Sequence, residues 1–243
     1  MKAKKVYEFR TSGEIVSMGK DFIFKKEVNK ILNKIITCDP GATLETQYEI
    51  KYNANENSII IRDLSNYQFV AFDKCTIPNI PFKIISEQSI EFYNYSFEHY
   101  IEEFNVNVES NNYVYFDFDN RLKKLNGKLK ADFFMVEDNT FAELPDGLEL
   151  NKLYANDMKY PNLKKLPNNV KIHQNLLLYY NWNIEEIGDN LEVMGNLIIR
   201  DNDSLRKIGK NAIVHGYTLI HDSLITVNDL PKDFKSERII NSK

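Results

Sequence analysis

Four aspartates at matching positions in the second half of the chain are the first residues whose spacing points to chemistry. They are Asp138, Asp157, Asp201 and Asp222. Stacked carboxylates repel one another unless a cation or a basic group meets them, so the row predicts attraction of a basic patch on a partner protein. Paired carboxylates can also cleave a carbohydrate, and aspartates also suit the turns of a solvated rim. The sequence leaves these three interpretations open.

The histidines offer no combination with a recognised catalytic or metal-binding spacing. His173 and His215 share one position in a repeat, but Met194 holds that position in the turn between them. Two turns then separate the rings, which is too far for a shared metal ion at normal ligand distances. His221 lies next to Asp222, and adjacency in sequence does not make a catalytic triad. We therefore expect no metal site and no catalytic histidine.

The two cysteines and the amino-terminal segment indicate the cellular compartment. Cys38 and Cys75 lie in unrelated contexts without a C-x-x-C motif, which is typical of thiols in a reducing environment. The opening segment MKAKKVYEFRTSGEIV is too polar for a secretion signal, and no apolar run approaches the roughly 18 residues of a membrane span. We expect a cytoplasmic protein, in a cell or in a virus-infected cell, with no membrane partner.

Composition and the absence of sequence motifs argue against several function classes. The 243 residues carry a net charge of -4, and the lysines are scattered among acidic residues, so no basic stripe for nucleic acid is visible. Glycine-rich phosphate loops, H-E-x-x-H and G-x-S-x-G do not occur in the sequence. We therefore expect no catalytic residue, no metal, no cofactor and no nucleic-acid partner.

The second half of the chain repeats itself with a period of about 21 residues. Two-residue markers recur at intervals of 22, 21, 21 and 22 residues: Leu144-Pro145, Leu166-Pro167, Ile187-Gly188, Ile208-Gly209 and Leu230-Pro231. An apolar pair follows each of the first four markers, and an alternating triplet follows each pair: Leu153-Tyr154-Ala155, Leu176-Leu177-Leu178, Leu197-Ile198-Ile199 and Thr218-Leu219-Ile220. Alternation of this kind is typical of β-strands. The pattern predicts a parallel solenoid whose turns share one continuous core and pair their strands.

Asparagines follow several triplets at a constant distance. Asn139, Asn181 and Asn202 each come three residues after an inward apolar residue. We expect their amides to satisfy the backbone of the neighbouring turn where the chain leaves the strand, because a buried bend requires partners for its polar groups.

The arrangement L-x-L-x-x-N, which occurs as LLLYYN from Leu176 and as LIIRDN from Leu197, resembles the core of the leucine-rich repeat family. The longer form IGDNLEVMGNLIIRDNDSLRKIG is similar to the divergent versions in bacterial and phage proteins. The resemblance covers residues 125–230 and implies turns that carry a second short strand. Ala155 and Thr218 depart from the family pattern, since leucine is usual at both positions.

Residues 1–65 predict a small α+β cap in front of the solenoid. The segment KDFIFKKEVNKILNKIIT from Lys20 has apolar residues at helical spacing, and CDPG ends it. QYEIKY and SIIIRD, separated by NANEN, predict a strand, a turn and a strand. Such a cap covers the open first turn of a solenoid. Residues 66–243 then form the leucine-rich-repeat-like solenoid, with degenerate turns over 66–124 and clear repeats over 125–230.

The run NNYVYFDFDN lies within the degenerate turns and alternates cleanly between two faces. Tyr113, Tyr115 and Asp117 share one of these faces.

The central residue of each triplet faces away from the core, because successive strand residues alternate between the two faces. These central residues predict an apolar stripe with a spacing of about 5 Å: Met135, Tyr154, Leu177, Ile198 and Leu219. Tyr179, Tyr180 and Trp182 lie beside this stripe, and the aspartate row runs along it. Contiguous apolar surface with tyrosine and tryptophan anchors is typical of a protein-binding face. Permanent cover by the amino-terminal region or by an identical subunit is the alternative.

The sequence therefore predicts a non-catalytic repeat protein that binds another protein through the stripe and the aspartate row. The segment KKVYEFRTSGE, ahead of an amphipathic helix, resembles the amino termini of phage-encoded repeat proteins. That resemblance implies inhibition of a host or defence protein, or packing inside a virion. Two alternatives from other classes are a structural subunit, in a virion or a homo-oligomer, and a carbohydrate-active enzyme that uses the aspartates.

Overall fold

The repeat of about 21 residues folds into the stacked turns of a parallel β-solenoid. The computed structural model describes residues 6–9, 15–18, 20–38, 41–65, 68–95, 100–119, 121–136, 141–155, 162–179 and 183–242. For residues 6–9, 15–18, 21, 154 and 155 it describes the backbone alone.

Short strands and few helices make up the described chain. Its first half contains β1 (Val6–Phe9), β2 (Ile15–Met18), α1 (Lys20–Ile35), α2 (Leu44–Gln47), β3 (Tyr48–Asn53), β4 (Ser58–Asp63), β5 (Phe69–Phe72), β6 (Asn79–Ser86), β7 (Ser89–Tyr93), β8 (Glu103–Ser110), β9 (Tyr113–Asp117), β10 (Lys124–Asn126), β11 (Leu129–Ala131) and β12 (Phe133–Val136). Its second half contains β13 (Glu149–Leu150), β14 (Leu153–Ala155), β15 (Lys165–Leu166), β16 (Lys171–Ile172), β17 (Leu176–Tyr179), β18 (Glu186–Ile187), β19 (Glu192–Val193), β20 (Leu197–Arg200), β21 (Lys207–Ile208), β22 (Ile213–His221), a 3-10 turn (Val227–Asp229) and β23 (Lys235–Ser242).

Three strands per turn hold successive turns together in parallel register. The turn made of β18, β19 and β20 pairs with β21 and with the two ends of β22. Its partners are 21 residues apart in every strand: Ile187 with Ile208, Val193 with Val214, and Ile199 with Ile220. Three of the five markers therefore begin at the last residue of a short strand, Leu166 of β15, Ile187 of β18 and Ile208 of β21. These strands add to the two that the apolar pair and the triplet predict.

The triplets alternate between the core and the surface, as their sequence predicts. Leu176, Leu178 and Leu197 have no exposed surface, whereas the central residues Leu177 and Ile198 are half-buried. A strand whose alternate residues enter the core must keep one pairing register, because a slip of one residue would turn every apolar side chain outward. The stacked turns thereby bury one continuous column of apolar side chains.

The amino-terminal region is a small helical unit packed on the first turn. Helix α1 buries Val28, Leu32 and Ile35 in the same core as Ile59 of β4. The carbonyl of Ile35, at the end of the helix, accepts a hydrogen bond from the Lys74 N–H at 3.2 Å. Strands β3 and β4 form the antiparallel hairpin that QYEIKY and SIIIRD predict. No helix in the part of the chain that the structure describes is long and apolar enough to cross a membrane.

Parallel pairing starts at β4, which pairs with β6, and β6 pairs in turn with β8. A second sheet, in the order β5, β7, β9 and β12, runs alongside. Phenylalanines lie among its inward residues: the rings of Phe72 and Phe92 stack with centroids 4.8 Å apart, and those of Phe92 and Phe116 with centroids 5.1 Å apart.

The asparagine at position 202 closes its own turn and does not bridge to the next one. Its side-chain oxygen accepts hydrogen bonds from the backbone N–H groups of Ser204 (3.3 Å) and Leu205 (2.9 Å). The prediction that this amide satisfies the backbone of the neighbouring turn is therefore wrong for Asn202. An amide at the end of a strand lies closer to the bend that follows it. Asn139 and Asn181 lie outside the described residues.

Other asparagines make the bridges between turns. The side-chain oxygen of Asn175 accepts the Asn196 N–H at 2.9 Å, and that of Asn196 accepts the Tyr217 N–H at 3.0 Å. Asn175 and Asn196 each lie immediately before a strand, where the parallel ladder leaves a backbone donor without a strand partner.

Candidate functional site

The apolar stripe is a set of outward side chains on adjacent parallel strands. Leu177 of β17 pairs with Ile198 of β20, and Ile198 pairs with Leu219 of β22. All three side chains are half-buried between neighbours that point into the core. The backbone of Tyr154 pairs with Leu177 at one end, and Ile240 of β23 extends the stripe beyond Leu219 at the other. The strand ladder therefore fixes these positions as one row.

Met135 lies in the other sheet. Its strand β12 pairs with β9, which places Met135 beside Tyr115. Among the strands that the structure describes, no pairing joins β12 to β14. The five central residues of the predicted stripe are thus divided between two sheets, four in one and Met135 in the other. Met135 is half-buried like its counterparts.

The aromatic residues beside the stripe are only partly described. Tyr179 is half-buried and pairs with Arg200. Tyr180 and Trp182 lie outside the described residues, and the side chain of Tyr154 does so too.

The described aspartates of the row are turn residues with basic neighbours. Asp201 and Asp222 have positive φ angles of 48° and 40°, a backbone region that aspartate tolerates better than most residues. Arg200 Nε lies 3.1 Å from the Asp201 carboxylate, and His221 Nε2 lies 3.2 Å from the Asp222 carboxylate. This geometry gives Asp201 and Asp222 a structural role at the ends of their strands. Asp138 and Asp157 lie outside the described residues.

Two histidines link neighbouring turns of the solenoid. His173 Nε2 lies 2.8 Å from Glu149, and His215 Nε2 lies 3.3 Å from Glu192, so each histidine joins a carboxylate of another turn. Within the described ranges, no group of three or more His, Cys, Asp or Glu side chains is placed to hold a metal ion.

Neither cysteine forms a disulfide. Burial raises the pKa of the Cys75 thiol to about 12, which keeps it protonated and poorly nucleophilic at neutral pH.

A second surface, which the sequence did not single out as a site, lies on the outward face of β7 and β9. We call it the tyrosine face and define it by Tyr93, Tyr95, Tyr113 and Tyr115. The ring of Tyr93 lies 5.8 Å from that of Tyr95 and 5.6 Å from that of Tyr115, centroid to centroid. In the centre lies Glu91, whose carboxylate accepts hydrogen bonds from the hydroxyl groups of Tyr93 and Tyr113.

The carboxylates and phenols on this face shift one another's pKa values. Burial, followed by the hydrogen bond to Glu91, raises the pKa of both Tyr93 and Tyr113. Burial, followed by repulsion from Glu91, raises the pKa of Asp73, while Lys74 acts in the opposite direction. The alternation of YVYFD predicts that Tyr113 and Tyr115 share a face. The burial of Glu91 depends on a tyrosine of the next turn, which no local pattern reveals.

The position of the tyrosine face relates it to the predicted stripe. Since Glu91 pairs with Tyr115 and Tyr115 pairs with Met135, the tyrosine face adjoins Met135, the one predicted stripe residue in this sheet. The outward positions along this row thus carry the carboxylate of Glu91, the aromatic Tyr115 and the apolar Met135.

Comparison of the chain with models of known protein families, with curated proteins and with solved structures found no match in any of them. What the structure shows is a parallel β-solenoid with a small helical amino-terminal region.

Proposed function

We propose that this chain is a non-catalytic, protein-binding repeat protein and that the apolar stripe is part of its contact surface. The observation that carries the proposal is the row formed by Leu177, Ile198 and Leu219, three half-buried apolar side chains fixed on adjacent strands. Aligned apolar side chains on a surface are typical of protein contact sites.

Rigidity also supports a binding role. The inward neighbours Leu176, Leu178 and Ile199 are fully buried, so the backbone that carries the stripe is held on the core side. A surface that is ordered before binding loses little conformational entropy on association, which favours affinity. A β-ladder of this kind can also vary its outward residues without a change of fold.

The biological setting follows from resemblance. We propose that the solenoid is a divergent leucine-rich-repeat-like protein of the bacterial or phage type that acts in the cytoplasm on a host or defence protein by direct binding. The motif LIIRDN from Leu197 and the amino-terminal segment KKVYEFRTSGE support this assignment.

The stripe can be tested with a double variant, Leu177→Asp with Ile198→Asp. Both side chains point outward, so the variant should fold, which circular dichroism will verify. Affinity capture from the native or infected cell should then lose the partner that the unaltered chain retains, because two charges would be buried at the contact.

A matched control replaces Met194 and Leu224, exposed apolar residues away from the stripe, by aspartate. This control adds the same charge and should keep the partner. Retention of every partner by the folded stripe variant would refute the proposal. Light scattering of the isolated chain separates it from the structural-subunit alternative, which requires a stable homo-oligomer.

A further inference from the structure

Charged residues at outward strand positions of the solenoid are paired between turns. Lys130 lies between Glu109 and Glu149, with Nζ to carboxylate distances of 3.8 Å and 3.3 Å. Glu186 lies in the same way between Lys165 and Lys207, at 2.9 Å from each Nζ. Because parallel strands bring equivalent positions into contact, alternation of sign along a row neutralises each charge locally.

The tyrosine face departs from this arrangement. Three carboxylates lie on it or at its rim, those of Asp73, Glu91 and Asp117. In the described part of the chain, none of the three forms an ion pair with a basic side chain within 4.0 Å. The described ion pairs therefore leave the negative charge of this face in place, and the nearby charge of Lys74 acts on Asp73 at its rim.

Glu91 makes this excess charge costly. The residue is only 6% exposed, and its hydrogen-bonding partners in the described chain are the neutral hydroxyl groups of Tyr93 and Tyr113. A carboxylate removed from water without a counter-charge is destabilising, and a cation brought beside it relieves that cost.

The rings supply the second half of a cation-binding surface. The Tyr93 ring stacks with that of Tyr95 at 5.8 Å and meets that of Tyr115 edge to face at 5.6 Å, centroid to centroid. The faces of such rings attract a guanidinium group, and a carboxylate at their edge holds its N–H groups.

An arginine of this chain already shows that combination close by. The Arg121 guanidinium lies 3.1 Å from the Asp119 carboxylate, and its carbon lies 5.8 Å from the centroid of the Tyr100 ring. The chemistry that the tyrosine face offers is thus one that this region uses internally.

We propose that the tyrosine face binds a basic, arginine-bearing segment of the partner protein. The inference rests on the proposed function and names the chemistry of the partner. Guanidinium groups lie over the tyrosine rings and against the carboxylates of Glu91 and Asp117. Anionic partners such as nucleic acids are repelled by the same charges.

The test is a titration with a short, fluorescein-labelled Gly-Ser peptide that bears several arginines, followed by fluorescence anisotropy. A peptide of the same length with citrulline in place of arginine serves as the neutral comparison. The arginine peptide should bind the full chain about tenfold more tightly than the citrulline peptide, and salt should weaken it. Glu91→Gln should weaken the arginine peptide by about the same factor, whereas Glu237→Gln, an exposed carboxylate on β23, should not.

Equal binding of the two peptides, or equal losses in Glu91→Gln and Glu237→Gln, would overturn the inference. If Glu91→Gln does not fold, Asp117→Asn at the half-buried rim of the face provides the same comparison. The stripe variant of Leu177 and Ile198 should retain the peptide. If the chain binds both peptides equally, the partner chemistry is refuted but the proposed function is not. If the stripe variant keeps its partner in the capture experiment, the proposed function is refuted.

Discussion

Polar side chains at the bends of the solenoid form hydrogen bonds between turns where the strand pairing ends. Asn169, Asn190 and Asn211 occupy one position in successive turns, with φ angles of 58°, 60° and 57°. The amide of Asn190 donates to the side-chain oxygen of Asn169 at 2.9 Å, and that of Asn211 donates to Asn190 at 3.0 Å. Asparagine suits both demands, because it tolerates the left-handed region and its amide both donates and accepts.

Gly195 is a residue at which the contact between turns leaves no room for a side chain. Its N–H donates to the Gln174 carbonyl at 2.8 Å, and an added Cβ would lie 2.6 Å from Asn175 Oδ1 and closer still to that carbonyl oxygen. We predict that Gly195→Ala lowers the free energy of unfolding by about 3 kcal/mol, since the two turns must move apart. Urea denaturation followed by circular dichroism measures the loss.

Gly147→Ala is the matched control for this substitution. An added Cβ there meets nothing within 4 Å, but the φ angle of 77° is unfavourable for alanine. The expected cost is about 1 kcal/mol from the backbone alone. If the two variants are equally stable, close contact between turns is not what fixes Gly195.

Rows of charge along the strands make the stability of this solenoid depend on pH. The hydrogen bond from Lys165, and then that from Lys207, lowers the pKa of Glu186 from its ordinary value of 4.5. The stabilisation from a lowered pKa is present above 4.5 and is lost as the pH falls through the lowered value.

We predict that Glu186→Gln reduces the loss of stability between about pH 6 and about pH 3. The effect should be less than about 1 kcal/mol, because the pairs are partly exposed and salt screens them. Urea denaturation at each pH gives the free energy of unfolding. Glu185→Gln, which removes a neighbouring carboxylate at 3.5 Å from Lys164, is the control. An unchanged pH profile in Glu186→Gln would contradict the prediction.

The elements that the sequence predicts best are those whose own periodicity carries the signal. The triplet at Leu197 alternates cleanly, and its inward and outward faces follow from that alone. The two-residue strand Glu186–Ile187 has no periodicity of its own and exists only through its partners in adjacent turns. The separation of Met135 from the rest of the stripe and the burial of Glu91 likewise depend on pairing between turns.

The core of the whole molecule changes character along its length. The first turns contain stacked rings, including Phe72, Phe92 and Phe116, whereas the later turns contain aliphatic residues such as Leu178 and Ile199. Aromatic side chains bury more area per residue, and their stacking adds to the stabilisation. The early turns should therefore resist opening more strongly than the later ones.

The last two described turns, which hold β22 and β23, contain polar residues at positions next to the core. Thr218, a departure from the leucine pattern, is fully buried, and its hydroxyl donates to Ser236 Oγ at 3.0 Å. Ser236 Oγ donates in turn to the Gly216 carbonyl at 3.0 Å. Strand β23 is a poor template for a further strand, because it carries the charged residues Lys235 and Glu237 and pairs with β22 through a β-bulge.

In such a stack, each turn is stabilised by its neighbours, so a core defect should act locally. Ile199→Ala removes a fully buried side chain, at a cost of about 3 kcal/mol. We predict that hydrogen exchange monitored by mass spectrometry becomes faster in β17, β20 and β22, while β7 and β9 keep their protection behind the stacked phenylalanines. Leu224→Ala, at a residue that is 46% exposed, should change neither region. Equal acceleration of exchange in all strands would instead mean that the turns unfold as a single cooperative unit. A partner bound at the apolar stripe would then stabilise the tyrosine face as well.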